Sequence, residues 1–125
     1  MLNELHHVQL AMPKGGEPEA RDFYADLLGL DEVPKPPDLA RRGGVWFERG
    51  PVRVHLGIEE PFRPARKAHP AFLVSDLAAL RARFDAVGQS YRTDGALPGY
   101  DRIYTDDPFG NRIELLEPAR GRAAL

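Results

Sequence analysis

The sequence predicts an α+β domain, because its two halves show the same order of predicted elements: a strand, a helix and further strands. The first half opens with His7-Val8-Gln9-Leu10 and the second with 69-HPAFLV-74, and both segments are typical of strands. Each half continues with an amphipathic helix and closes with a hairpin. We therefore expect helices on one face of a curved antiparallel sheet.

Apolar residues at three- and four-residue spacing predict the two helices. In the first half these residues are Ala20, Phe23, Tyr24, Leu27 and Leu28, and in the second they are Leu77, Leu80, Phe84 and Val87. Gly29 and Gly88 are placed to end the helices, since glycine adopts the left-handed conformation without penalty. Either Ser75 or Asp76 can cap the start of the second helix.

The predicted hairpins join residues 45–48 to 52–58 and residues 102–105 to 112–117. In the first hairpin we expect Phe47 to pair with Val52 and Val45 with Val54. The stretches 34–44 and 89–99 should each hold a short strand and a loop, and the proline-rich segment 61–68 should join the halves. These assignments give one domain over residues 1–125, with modules at about 5–60 and 67–118 and a disordered tail after Pro118.

Composition narrows the classes of function. The chain has 125 residues, 42% of them apolar, and no cysteine, which excludes disulfides and thiolate metal sites. The formal net charge of −2 does not favour nucleic acid as a partner. No apolar run approaches the roughly 18 residues of a membrane span, and the N-terminus lacks a signal-peptide pattern. We expect a cytoplasmic protein with no membrane or nucleic-acid partner.

Strand alternation predicts which side chains lie on the face opposite the helices. In each strand the alternate apolar residues, such as Val8 and Leu10, are assigned to the core. Those remaining on the opposite face are His7, Gln9, Trp46, Glu48, Arg53, His55, His69 and Glu114. His69 follows His7 by 62 residues and Glu114 follows His55 by 59, so the ligand-type residues of the two halves match in order.

Three imidazoles and one carboxylate suit a divalent transition metal such as Zn, Ni, Mn, Fe or Co. A single strand histidine is more often an ordinary polar residue, and Glu114 alone equally fits a solvated surface position. Matched positions in both halves favour a metal site formed by His7, His55, His69 and Glu114.

Several segments resemble the glyoxalase/bleomycin resistance protein/dioxygenase (vicinal oxygen chelate) superfamily. They are His7-Val8, 22-DFYADLLGL-30, 54-VHL-56, 69-HPAFLVSDL-77 and 106-DDPFGNRIELLEP-118. The resemblance implies paired βαβββ modules that form an eight-stranded, U-shaped mixed sheet around a metal, commonly in a homodimer. It places the ligands His7, His55, His69 and Glu114 on the first and last strands of the modules.

The resemblance also implies a metal-dependent enzyme that acts on a small oxygenated substrate by isomerase, lyase, epimerase or transferase chemistry. In such proteins the metal stabilises an oxyanion or enolate, and a nearby carboxylate moves a proton. Glu114 is the first candidate base and Glu48 the second.

Five further residues are candidate substrate contacts. Gln9 and Tyr104 match positions used in the fosfomycin-modifying branch, although this chain lacks the hydroxyl residue expected at Gln9 and the potassium-binding loop of that branch. Trp46 could line the bottom of a ligand pocket, or it could pack at a dimer interface. Arg53 and Arg102 could clamp a carboxylate or phosphate, or could be ordinary exposed arginines.

His55 departs from glyoxalase I proteins, which usually carry a glutamate at that position. The alternative function is a bleomycin-resistance-like protein that binds and sequesters a small molecule without catalysis, and a third is a metal-binding domain without turnover. The four ligand-type residues favour an enzyme, because a sequestering protein does not need them.

Overall fold

A computed structural model describes residues 1–119 of the chain. The strands are β1 (Val8–Met12), β2 (Asp31–Val33), β3 (Val45–Arg49), β4 (Val52–Ile58), β5 (Ala71–Leu73), β6 (Tyr91–Thr93), β7 (Tyr100–Asp106) and β8 (Arg112–Pro118). The helices are α1 (Glu17–Ala20), which continues directly into a π-helical segment (Arg21–Leu27), α2 (Pro37–Ala40) and α3 (Leu77–Val87). The predicted strand–helix–strands order is confirmed in both halves.

The chain forms two compact units. The first unit comprises Met1–Ala65 and Pro108–Asn111, and the second comprises Arg66–Asp107 and the chain from Arg112 onward. Each unit contains one four-stranded sheet, with strand order β1-β4-β3-β2 in the first and β5-β8-β7-β6 in the second. The fold is therefore α+β with two mixed sheets.

The expectation of an antiparallel sheet is wrong in one respect, because each sheet contains a parallel pair. β1 runs parallel to β4, and β5 runs parallel to β8, while the remaining neighbours are antiparallel. The cause is the helical connection after each opening strand, which returns the next strand in the same direction. Two hairpin reversals then bring the last strand of the unit beside the first.

The predicted register of the first hairpin is also wrong. Phe47 pairs with Val54 and Arg49 with Val52, which leaves Gly50 and Pro51 as the loop. Gly50 has a φ of 56°, a conformation that glycine adopts readily, so the turn can be this short. The error is two residues, and the assignment of faces is unaffected because side chains alternate with a period of two.

Buried apolar residues fill the helix-facing side of the first sheet. Val45, Phe47, Val54 and Leu56 are buried there. From the first helix, Ala20, Phe23 and Tyr24 are buried, and the Tyr24 and Phe47 rings lie 5.5 Å apart between centroids. Gly29 follows this helix with a φ of 81°, as expected for a residue that ends it.

In the second unit α3 packs on its sheet through Leu77 and Phe84, both buried. Val87, predicted as part of the same apolar stripe, is instead 67% exposed. It is the last residue of α3, directly before Gly88, whose φ of 73° ends the helix. The chain therefore turns away at the point where Val87 would have continued the stripe.

Asp76, rather than Ser75, caps α3. The Asp76 Oδ1 atom accepts a hydrogen bond from the Ala79 backbone N–H at 3.0 Å. We expect Asp76→Ala to lower the free energy of unfolding by about 1 kcal/mol, because one N–H of the first turn loses its partner. The matched change Ser75→Ala should have almost no effect. Urea unfolding of both variants measures the difference, and equal effects would contradict the assignment.

The remaining sequence predictions differ from the structure mainly at element ends. The opening strands begin at Val8 and Ala71, after the histidines rather than on them. The first short strand, β2, precedes the stretch 34–44, which contains α2 instead, whereas β6 lies within 89–99 as expected. The tail predicted to be disordered begins after Pro118; Ala119 donates a backbone hydrogen bond to Gly99, and residues 120–125 lie outside the described residues. Among residues 1–119, no helix has the length and apolar character needed to cross a membrane.

Candidate functional site

Gln9, Trp46, Glu48, Arg53 and His55 lie on one face of the first sheet, which we call the histidine face. His55 is its centre and is only 6% exposed. Its imidazole is stacked between two rings, with the Trp46 ring at 3.9 Å and the His7 ring at 4.2 Å between centroids. Trp46 lies directly opposite His55 in the β3–β4 pair. The two histidines predicted as ligands in this half are therefore in contact.

His55 is held in its neutral form by its surroundings. Burial lowers the pKa of the His55 imidazole, because it disfavours the charged form, and the neighbouring His7 lowers that pKa further. A neutral imidazole has a free nitrogen lone pair, which metal coordination requires. The His7 side chain is exposed, and its Nδ1 atom lies 3.0 Å from Nδ1 of His6.

Gln9 lies across the histidine face above Gly57. A Cβ atom built on Gly57 would come within 2.5 Å of the Gln9 side-chain nitrogen, so a larger residue there would displace the flexible end of Gln9. Sequence reasoning did not single out Gly57. Its place two residues after His55, on the same face of β4, is the signal that could have identified it.

Glu48 and Arg53 form a cross-strand pair at the end of the histidine face. The Arg53 Nε atom lies 4.0 Å from a Glu48 carboxylate oxygen, and another Arg53 nitrogen donates to the His6 carbonyl at 3.1 Å. Arg53 makes a hydrogen bond to the protein, and its role as a clamp for a substrate anion stays a prediction.

The second unit brings together His69 and Glu114. The His69 Nε2 atom lies 2.9 Å from Glu114 Oε1, while His69 Nδ1 lies 2.9 Å from the Lys67 carbonyl oxygen. These two contacts orient the ring, with Nε2 toward the carboxylate and Nδ1 toward the carbonyl. Metal-binding histidines commonly place one ring nitrogen on the metal and the other on a carbonyl or carboxylate oxygen.

Glu114 is buried, at 5% exposure, yet remains ionised. Burial on its own would raise the pKa of Glu114, but hydrogen bonds from His69 and Arg102 outweigh it, and the pKa lies below its usual value. Arg102 donates to Glu114 at 3.3 Å and to the Asp94 carboxylate at 3.1 Å. Arg102 is thus occupied by two carboxylates, and its observed role is to hold Glu114.

Tyr104 lies opposite Glu114 in the β7–β8 pair and is surrounded by arginines. The guanidinium carbons of Arg92, Arg102 and Arg112 lie 5.5, 5.2 and 5.5 Å from the Tyr104 ring centroid. We call the surface formed by Arg92, Arg102, Tyr104, Arg112 and Glu114 the arginine face. Sequence reasoning missed Arg92 and Arg112. Alternation along β8 could have placed Arg112 beside Glu114, but nothing in the stretch 89–99 revealed the register of Arg92.

The residues present suit a divalent metal in chemical type. His69 Nε2 and Glu114 Oε1 lie 2.9 Å apart, at hydrogen-bond distance. The His7 and His55 rings are instead stacked at an interplanar angle of 20°. Within residues 1–119, no group of three or more His, Asp or Glu side chains is arranged to hold a metal ion; the ligand-type residues occur as one pair in each unit.

Comparisons with known proteins identify the family. The family model for the glyoxalase/bleomycin resistance protein/dioxygenase superfamily matches residues 5–115. A solved glyoxalase family protein from Bacillus anthracis is 43% identical, with a TM-score of 0.92, covering 95% of this chain and 98% of its own. A search of proteins with curated functions gives no match.

Two more distant structures share the fold. Lactoylglutathione lyase from Agrobacterium tumefaciens is 23% identical, with a TM-score of 0.72 and coverage of 93% of this chain and 94% of its own. The fosfomycin resistance protein FosX from Listeria monocytogenes is 15% identical, with a TM-score of 0.74 and coverage of 96% and 97%. On the family match and the first of these structures, the chain belongs to the glyoxalase/bleomycin resistance protein/dioxygenase superfamily.

Proposed function

We propose that this protein is a metal-dependent enzyme of the glyoxalase type that acts on a small oxygenated substrate. The observation that carries the proposal is the pair formed by His69 and Glu114, whose Nε2 and Oε1 atoms lie 2.9 Å apart. One partner is oriented through the Lys67 carbonyl and the other is kept ionised by Arg102. A buried carboxylate of this kind, next to an oriented imidazole, is what a metal site needs before the metal binds.

His7 and His55 are the proposed ligands from the first unit, and His69 and Glu114 those from the second. A divalent ion bound by ligands of this kind would supply Lewis acidity that stabilises negative charge on a substrate oxygen. Membership of the superfamily supports this set, since the sequence resemblance implies ligands at these four positions. The metal itself, among Zn, Ni, Mn, Fe and Co, is left open by a set of imidazole and carboxylate ligands.

The surroundings of Glu114 bear on how the two candidate bases divide their roles. Its carboxylate faces His69 and is held by Arg102. We therefore assign Glu114 primarily as a ligand, and Glu48 as the candidate general base. Glu48 shares the histidine face with His55, and its carboxylate favours the charged form of that imidazole.

Gln9 and Trp46 are the proposed substrate contacts on the histidine face. Trp46 presents a partly exposed ring surface beside His55, suited to an apolar part of a small molecule. Lyase-type chemistry, as in the structural neighbour named a lactoylglutathione lyase, is the proposed reaction class. We also propose a single domain of two modules, a homodimer, as is common in the superfamily, and a location in the cytoplasm.

One observation favours a second candidate, a small-molecule binding protein without catalysis. The stack of His7, His55 and Trp46 is an aromatic surface of the kind that binds flat ligands, and stacked imidazoles do not converge on one point. In that case the histidines would serve as contacts rather than ligands.

Metal analysis distinguishes the two candidates. We expect untagged protein, purified without chelators, to contain close to one equivalent of a transition metal by ICP-MS. Metal-free protein should gain thermal stability when Zn, Ni or Mn is added, because a ligand that binds only the folded state stabilises it. No bound metal, together with an unchanged melting temperature for every ion tried, would favour the sequestering protein instead.

A further inference from the structure

On the arginine face of the second unit, three arginines surround one aromatic ring. Only one of them, Arg102, contacts a proposed metal ligand, Glu114. Arg92, Arg102 and Arg112 approach Tyr104 from β6, β7 and β8, each within 5.5 Å of the ring centroid. An aromatic face attracts guanidinium groups and fixes their positions. Three such groups around one tyrosine are mutually repulsive unless anions lie between them.

The three arginines differ in their partners. Arg102 is bound to Asp94 and Glu114, so its charge is balanced within the protein. Neither Arg92 nor Arg112 has a carboxylate within 4.0 Å among residues 1–119. Asp106 lies directly opposite Arg112 in the β7–β8 pair but does not form an ion pair with it.

We propose that Arg92 and Arg112, on either side of Tyr104, bind an anionic group of the substrate, a carboxylate or a phosphate. Their planar, fork-like donors match both groups, which accept two parallel hydrogen bonds. This assignment differs from the predicted clamp of Arg53 and Arg102: Arg102 is bound to two carboxylates, and Arg53 lies in the first unit. It rests on the proposed function, since it names the substrate class for the same protein: a small oxygenated molecule that carries a negative charge.

The position of the two arginines supports this role. Arg92 pairs with Tyr104, and Tyr104 pairs with Glu114, so the three residues form one row across the sheet. An anion held at Arg92 and Arg112 would therefore lie beside the row that contains Glu114. Arg92 is exposed and β6 is the edge strand, which leaves this side of the ring open to a small molecule.

The test is an anion titration of metal-free protein, so that its outcome does not depend on metal binding or turnover. Inorganic phosphate and acetate are added separately at constant ionic strength, because salt screens such contacts. The Nε–Hε signals of the arginines are followed by ¹H–¹⁵N NMR. We expect saturable shifts for Arg92 and Arg112 with at least one of the two anions, and the anion that binds more tightly identifies the substrate group.

Variants make the assignment specific. Arg92→Gln and Arg112→Gln should each weaken binding by about tenfold, the usual effect of losing a charge-assisted hydrogen bond. Arg63→Gln, which removes an exposed arginine from the first unit, should leave binding unchanged. Arg92 is exposed, so its variant should fold even if the Arg112 variant does not. Shifts that do not saturate for either anion, or equal weakening in the Arg63 variant, would overturn the proposal without bearing on the metal site.

Discussion

His69→Ala and Glu114→Gln are each expected to abolish the thermal stabilisation that added metal gives to the protein. His69→Ala removes the imidazole of the pair at 2.9 Å, and Glu114→Gln removes the negative charge of its partner. Changing a group that merely supports a ligand typically costs about 10–100-fold in metal affinity, and loss of a ligand should exceed that. Glu114→Gln is nearly isosteric, so its effect reports the lost charge rather than a cavity.

His6 provides a matched control for the first unit. His7→Ala should reduce metal affinity much more than His6→Ala, one residue earlier, because the His6 side chain contacts His7 but is not itself a proposed ligand. Isothermal titration of each metal-free variant measures the affinities. Equal affinity in His7→Ala and His6→Ala would remove His7 from the ligand set. Unchanged affinity in both His69→Ala and Glu114→Gln would contradict the metal site as a whole.

Which side chains lie on which face of the sheet was predictable from sequence, because an error of two residues in strand register does not change the alternation. The predicted and observed pairings of β3 and β4 differ by two residues, yet Trp46 and His55 still share one face and Phe47 and Val54 the other. The buried apolar residues determine this outcome, since a shift of one residue would expose all of them at once.

The contacts made by the side chains on each face were not predictable. The stacking of His55 on Trp46 and His7 depends on register and rotamers, which a list of polar residues does not contain. Arg102 was predicted to be available for a substrate, but it forms an ion pair with Asp94, the residue directly after β6, and the short strand β6 has no clear alternation in sequence. The register of a short edge strand is set mainly by its neighbours in the sheet. The contacts around Tyr104 were therefore not predictable from the sequence alone.

Asn111 stabilises the first unit in a way that its sequence context did not reveal. In sequence it belongs to the turn-forming cluster 106–111, where asparagine needs no further explanation. In the structure it is completely buried. Its Oδ1 accepts a hydrogen bond from the Ala65 N–H at 2.9 Å, and its Nδ2 donates to the Ala11 carbonyl at 2.8 Å. Asn111 therefore connects Ala65, the last residue of the segment Met1–Ala65, to β1.

We expect Asn111→Ala to lower the free energy of unfolding by about 2–4 kcal/mol, because it leaves two backbone groups without these partners and each unsatisfied group costs about 1–3 kcal/mol. Asn111→Asp retains the acceptor for Ala65 but places a carboxylate against the Ala11 carbonyl, and it should also be destabilising at neutral pH. Asn3→Ala is the matched control, since Asn3 is exposed and should tolerate the same change within about 0.5 kcal/mol. Urea unfolding measures all three variants. If Asn111→Ala is as stable as Asn3→Ala, the hydrogen bonds of Asn111 do not hold the first unit together, and its burial has another cause.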